Sequence, residues 1–404
     1  MTEPSTNRQD ERELIRPLRE KKSSLLKKMT RSVQRLRSGI DWPFAVLVMI
    51  LLSIGTTFVF SSSYIYAKYK YQDSYFFIRK QIGWVLLSIA VIYVVTRFVD
   101  YLILKRFSLP IFLFSYLLLW CVFFFGADAN GAKRWIYFGS LSVQPSEIVK
   151  FSVILLVSSY LVWLETKGRD LIRTWRYGIF PFVALVGMIG LPLYKQPHLS
   201  AMIIIFALIF LLMYLGGVKT KILTLGICVG AVAMLSLILF TSHGQSRINS
   251  WLHPELDPLG DGWQPLQSLY AIGSGGLWGV GLGQSMQKHL YLPEPQNDYI
   301  FAIICEEMGF VFAVALIILF VLLIWRGFYI AKNAPSKFSS LLVMGIIIQV
   351  GLQVFLNIGV VTGALPSTGV SLPFFSYGGS SLVILMAEMG VVLNVSRFSY
   401  TEKA

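Results

Sequence analysis

Charge is scarce in this chain of 404 residues: 14% are Asp, Glu, Lys or Arg, against 55% hydrophobic, and the mean hydropathy is +0.65. That composition is too apolar for a soluble globule, so a membrane protein is expected. Sulfur and imidazole are scarcer still. Cys121, Cys228 and Cys305 all fall inside apolar runs and have no disulfide or metal spacing, so reduced core thiols are expected. The four histidines are scattered and form no HExxH pair, which removes a zinc hydrolase of that type. Internal repeats and low-complexity tracts are both missing, so nothing favours a repeat-built transporter. Glu255, Asp257 and Asp261 stand among glycines but lack EF-hand spacing. The run "GSGGLWGVGLG" at 273–283 has no Walker lysine, and its glycines fit tight turns and re-entrant backbone better than a phosphate loop.

What the chain does have is long apolar stretches. A spanning helix needs about 20 such residues, and ten stretches qualify: 43–62, 82–98, 108–126, 146–164, 178–194, 198–216, 222–241, 299–325, 340–361 and 379–396. The fold class expected is all-α, a polytopic membrane protein of about ten transmembrane helices with a large extracytoplasmic loop. The net charge of +14 is distributed unevenly. With the amino terminus inside, cytoplasmic segments carry 25 of the 35 Lys and Arg residues, so both termini are expected in the cytoplasm. The basic excess is therefore a topology signal, with lipid-headgroup contact secondary, and nucleic acid is not an expected partner. Residues 1–42 read as a disordered basic arm, 43–396 as the membrane domain and 397–404 as a short cytoplasmic tail. The first apolar run starts too late, and without a small-residue cleavage pattern, to act as a secretory signal.

Most connections are short, but the external segments 127–145 and, above all, 242–297 are not, and long loops tend to carry function; 362–378 is a further external loop, whose glycines and prolines suit an ordered one. In "NGAKRWIYFGSLSVQPSEIVK" (130–150), Lys133 and Arg134 flank aromatic residues suited to the headgroup layer. Pro145 or Ser146 can start a helix on which Glu147 and Lys150 share a face. That pair is either an ion pair anchoring the helix or part of a cationic site for a lipid phosphate. In the long loop, Gln264, Gln267 and Ser268 are placed to bond a sugar or to cap the loop; Arg247 and Lys288 either hold a phosphate or snorkel. Asp298 opens the eighth span behind Pro293 and Pro295, as a helix N-cap or as a catalyst. Glu306 and Glu307 follow roughly 12 Å deeper, and Glu388 lies mid-span in the tenth helix. Acids at such depth must face the bundle interior or water.

Together these stretches resemble the SEDS family (shape, elongation, division and sporulation). The resemblance runs over 43–396 and rests on "GAKRWIYFGSLSVQPSEIVK", "GWQPLQSLYAIGSGGLWGVGLGQSMQKHLYLPEPQNDYIFAIICEEMG" and "LPSTGVSLPFFSYGGSS". Ser371-Leu372-Pro373 and "LPEPQND" are more similar to the FtsW/SpoVE branch than to RodA. Two departures stand out: Gln196-Pro197-His198-Leu199-Ser200 replaces a common "QPDLGT", and Gln296 stands where many relatives have histidine.

The resemblance implies a peptidoglycan glycosyltransferase of the bacterial plasma membrane with an external active site, polymerising lipid II for septal wall synthesis in cell division. RodA-type elongation and SpoVE-type sporulation are the alternatives within the family. It implies partnership with a class B penicillin-binding protein, other division proteins and membrane lipids. Asp298 matches the family's essential aspartate and would take the proton from the attacking sugar hydroxyl in an inverting displacement. Lys133, Arg134, Lys150, Arg247 and Lys288 would meet the diphosphate leaving group, with Gln264, Gln267 and Ser268 as further substrate contacts. Glu147, Glu306, Glu307, Ser376 and Tyr377 would support them. A divalent cation, Mg or Mn, is left open. The rival from another class is a lipid II flippase, which should carry its polar groups through the membrane depth; a third possibility, a membrane scaffold, leaves Asp298 without a role.

Overall fold

The computed structural model describes residues 39–399, apart from 130, 131, 139, 140 and 169 and, within 222–241, positions 222, 225, 227, 229, 231–238, 240 and 241. Most of the expected basic arm, much of the expected span at 222–241 and the end of the tail lie outside the described residues. Among the described residues nine helices are long and apolar enough to cross a membrane.

In chain order the elements are α1 (Trp42–Tyr71), α2 (Phe76–Phe98), α3 (Tyr101–Arg106), α4 (Ser108–Phe125), β1 (Ala127–Ala129), β2 (Ala132–Phe138), β3 (Leu141–Val143) and α5 (Pro145–Lys167). There follow α6 (Trp175–Gly178), α7 (Phe180–Lys195), α8 (Leu199–Gly216), α9 (Ser242–Leu252), α10 (Trp263–Gly275), α11 (Ile300–Lys332), α12 (Lys337–Val361) and α13 (Gly379–Ser396). Two features were not expected. The loop at 127–145 folds as an antiparallel sheet in the order β1-β2-β3, and the 242–297 loop contains helices α9 and α10.

Connections assigned to one side by their charge do meet at one end of the bundle. Arg134 donates to the Pro197 carbonyl (2.7 Å), Arg247 to that of Ser367 (3.2 Å), Ser376 Oγ to that of Asn297 (2.9 Å) and the Tyr377 amide to that of Gln296 (2.8 Å). At the opposite end, Asp41 caps α1 through the Phe44 amide (3.0 Å) and also receives Arg326 (2.9 Å). Lys337 pairs there with Glu165 (3.0 Å), and Arg397 donates to the Thr96 carbonyl (2.8 Å).

The intramembrane acids are all engaged. The Glu306 carboxylate accepts from Ser285 Oγ and from the Met286 amide (2.8 Å). Glu307, fully buried, accepts from Ser61 Oγ (2.7 Å) and from Lys288 Nζ (2.8 Å). Gln349 donates to both oxygens of Glu388 at 3.0 Å. Unpaired charge at such positions is costly, and these contacts offset that cost.

Helix α11 is broken at Gly309, whose φ is +75° and ψ −178°. The backbone groups freed by the break are taken up by the glycine-rich run. Phe310 donates to Gly276 (2.9 Å), Val280 to Glu306 (3.0 Å) and Gly281 to Glu307 (2.9 Å), carbonyls accepting in each case. Backbone threading through a helix at membrane depth is tolerated when its polar groups are paired in this way. A Cβ on Gly309 would meet the Gly279 nitrogen at 2.3 Å. Gly309→Ala is therefore expected to destabilise the fold by on the order of 2 kcal/mol or more. The check is the melting temperature of the purified protein; an unchanged value would mean that the run does not thread this break.

Candidate active site

Asp298 stands just before α11, and no side chain caps that helix, whose N-cap position is Tyr299. The N-cap alternative for Asp298 is thereby corrected: its main chain is held instead. Asn357 of α12 donates its amide to the carbonyls of both Asp298 and Val370, at 2.7 Å each, clamping the 298 and 370 loops together. Gly369, with φ at +68°, lies against the carboxylate, and a Cβ there would stand 3.4 Å from Asp298 Oδ2.

Two cavities adjoin at this point, one of about 490 Å³ and one of about 580 Å³; Asp298, Arg134 and Gly369 line both. The first extends along Lys80, Trp84, Glu147, Lys150, His198 and Tyr377. The second extends toward Arg247, Asp261, Trp263 and Gln264. Strand β2 carries Arg134 to the point where the two cavities meet, and Trp135 and Tyr137 of the same strand also line the first.

Burial sets the electrostatics. Desolvation raises the Asp298 carboxyl to about 6; Arg134 opposes the shift and Glu294 adds to it. Desolvation also lowers Arg134, with repulsion from Arg247 behind it, and lowers Arg247. Both guanidiniums remain charged at neutral pH. Arg134 Nε is buried without a hydrogen-bond partner among the described residues. The arrangement is a half-buried carboxylate of raised basicity, reachable from two sides, with arginines beside it that carry few competing anions. It is suited to taking a proton from one bound molecule while negative charge develops on another.

The expected site residues divide sharply. Arg134, Lys150, Glu147, Ser376 and Tyr377 line the first cavity, and Arg134, Arg247 and Gln264 the second. Lys133 is exposed on β2 and lines neither. Gln267 is buried away from both, and buried Ser268 donates to the Val361 carbonyl (2.7 Å), fastening α10 to α12. Lys288, buried against Glu307, lines neither cavity, and Glu306 and Glu307 hold the glycine-rich loop. Lys80, Trp84, Gln144, Glu294, Asn297 and Gln353 line the first cavity and were not singled out from sequence. The spacing of Lys80 and Trp84, four residues apart on α2, was the available signal.

Lys150 Nζ meets Glu147 at 2.8 Å, with side-chain exposures of 2% and 14%. Reversing either charge alone is expected to impair folding, and reversing both to recover part of the loss. A double-mutant cycle on thermal stability is the check, and fully additive single effects would argue against the pairing.

No group of three or more His, Cys, Asp or Glu forms a metal cage among the described residues. Asp298 and Glu294 both line the first cavity, and a magnesium ion arriving on a diphosphate needs only one or two protein carboxylates.

Comparison with known proteins fits this geometry. The FtsW/RodA/SpoVE family, described as cell cycle proteins, matches residues 42–401. The chain is 38% identical over 366 residues to stage V sporulation protein E of Bacillus subtilis (strain 168), covering 90% of this chain and 98% of that one. It is 36% identical to a probable peptidoglycan glycosyltransferase FtsW of Geobacter sp. (strain M18), covering 89% and 97%. Its fold is similar to that of a chain from a peptidoglycan synthase complex that coordinates polymerization and crosslinking (TM-score 0.74, 29% identity, 90% and 99% covered). The rod shape determining protein RodA of Thermus thermophilus is similar too (TM-score 0.67, 27% identity, 90% and 98% covered).

Proposed function

The chain belongs to the FtsW/RodA/SpoVE family, and from that membership we propose that it is a peptidoglycan glycosyltransferase polymerising lipid II into glycan strands for septal wall synthesis. The observation that carries the mechanism is the sharing of Asp298 and Arg134 between two cavities. Two lipid-linked saccharides bind, one on each side of Asp298. The carboxylate takes the proton of the acceptor 4-hydroxyl as its oxygen attacks the donor's anomeric carbon. The bond to the diphosphate breaks, and Arg134 and Arg247 stabilise the charge left on the leaving group. One carboxylate suffices for inversion by direct displacement. A divalent cation on the diphosphate would add Lewis-acid stabilisation of the same charge.

The site faces outward at the bacterial plasma membrane, with both termini cytoplasmic; the excess of basic residues in the opposite connections supports this orientation. A class B penicillin-binding protein is the partner, since a neighbour in fold was solved in a synthase complex that couples polymerization to crosslinking.

The test is polymerisation of purified lipid II by this chain, with and without that partner, resolved on gels. No polymer under either condition would remove the proposal. A base titrating near 6 must be ionised to act, so the rate is expected to rise with pH up to about 6 and then level off. A flat profile between pH 5 and 8 would exclude Asp298 as the rate-controlling base.

A further inference from the structure

The chemistry above leaves His198 unused. It precedes α8, which begins at Leu199, and it lines the first cavity together with Asp298, Arg134 and Lys150. It is 5% exposed, and its Nδ1 has no hydrogen-bond partner among the described residues. Its neighbour Pro197 is fixed by Arg134, which donates to the Pro197 carbonyl at 2.7 Å. The ring is thus anchored at the wall of the cavity and not on a mobile arm. A buried polar atom without a partner is costly, and a ligand that supplies one recovers that cost.

The charges around the ring define which ligand. Arg134, Lys150 and Arg247 all act on the imidazole, and burial and those cations together hold its pKa at about 3. A neutral imidazole always keeps one nitrogen lone pair as an acceptor. Diphosphate oxygens are acceptors only, and the arginines already address them. Saccharide hydroxyls and N-acetyl amides can donate, and the imidazole lone pair offers them an acceptor on the wall that carries Arg134 and Lys150.

We propose that His198 is a specificity-determining residue that accepts a hydrogen bond from a hydroxyl or amide N–H of the saccharide in the first cavity. This rests on the glycosyltransferase function proposed above. His198 separates recognition of the sugar from recognition of the diphosphate, which the arginines perform.

The experiment measures binding of two probes to the purified protein: lipid II and undecaprenyl diphosphate, which shares the lipid and phosphates but has no sugar. His198→Leu should weaken lipid II binding about ten-fold, the loss of one buried hydrogen bond, and leave undecaprenyl diphosphate binding unchanged. His198→Asn, which retains an acceptor, should recover much of the loss. In steady state the effect should fall on KM more than on kcat. Equal weakening of both probes would assign His198 to the phosphates or to general structure and overturn the proposal, as would unchanged lipid II binding in His198→Leu. Binding is read without turnover, so a wild type that binds lipid II and forms no polymer would count against the glycosyltransferase function and not against the role of His198.

Discussion

Asp298→Asn is expected to form essentially no glycan polymer while inserting and folding like the wild type. Asn keeps the size and polarity of the side chain and removes its capacity to accept a proton. A positioned general base contributes about 10²–10⁴-fold, which sets the scale of the loss. The fold should survive because Asp298 is held through its carbonyl, by Asn357 at 2.7 Å, and the substitution leaves the carbonyl in place. No side chain caps α11, so no cap is lost. Removing a half-buried acid should leave the melting temperature unchanged or slightly higher; a large fall would assign the residue a structural role. Lipid II should be supplied on the accessible face, so that polymer formation needs no transport across the bilayer. Wild-type polymer yield from Asp298→Asn would end the general-base assignment. A protein that translocates lipid II in vesicles but never polymerises it would instead be a flippase.

Much of this architecture was legible in the sequence because hydrocarbon imposes simple rules. Spans declare themselves by apolar length, so the apolar run 379–396 coincides with α13 and the run 108–126 matches α4 to within one residue. Glu147 and Lys150 pair as their spacing suggested, because residues three apart on a helix lie on one face. Legibility failed where long-range contacts decide. Lys288 reads from sequence as a phosphate ligand or a snorkelling cation, but its partner Glu307 lies 19 residues further on and becomes a neighbour only when the glycine-rich loop threads α11. Ser268 suits a sugar contact or a loop cap by sequence, yet its hydroxyl reaches α12, 93 residues away. The small sheet at 127–143 leaves little trace in the sequence because β1 and β3 are three residues long and the seven residues of β2, AKRWIYF, do not alternate between apolar and polar. Arg134 and Lys133 are adjacent in sequence and chemically alike, yet Arg134 lines both cavities while Lys133 is exposed and lines neither, a difference that only the fold decides.

That last contrast gives the second large prediction. Arg134→Ala is expected to lower polymerisation about 10²–10³-fold, the range found when a donor to developing negative charge is removed. Lys133→Ala, one residue away and outside both cavities, should remain near wild type. Arg134→Lys should recover little, because a point charge on a flexible stem does not reproduce a planar guanidinium that reaches Pro197 with one nitrogen and leaves Nε for an anion. A second signature separates electrostatics from simple damage. Arg134 opposes the upward shift of Asp298, so without it the carboxyl should titrate above 6 and the rising limb of the pH–rate profile should move to higher pH. Raising the pH should then restore part of the Arg134→Ala activity, whereas a collapsed site would stay inactive at every pH. Equal losses in the Lys133 and Arg134 variants, or a rising limb that does not move, would show that Arg134 is not the cation that acts on both the base and the leaving group.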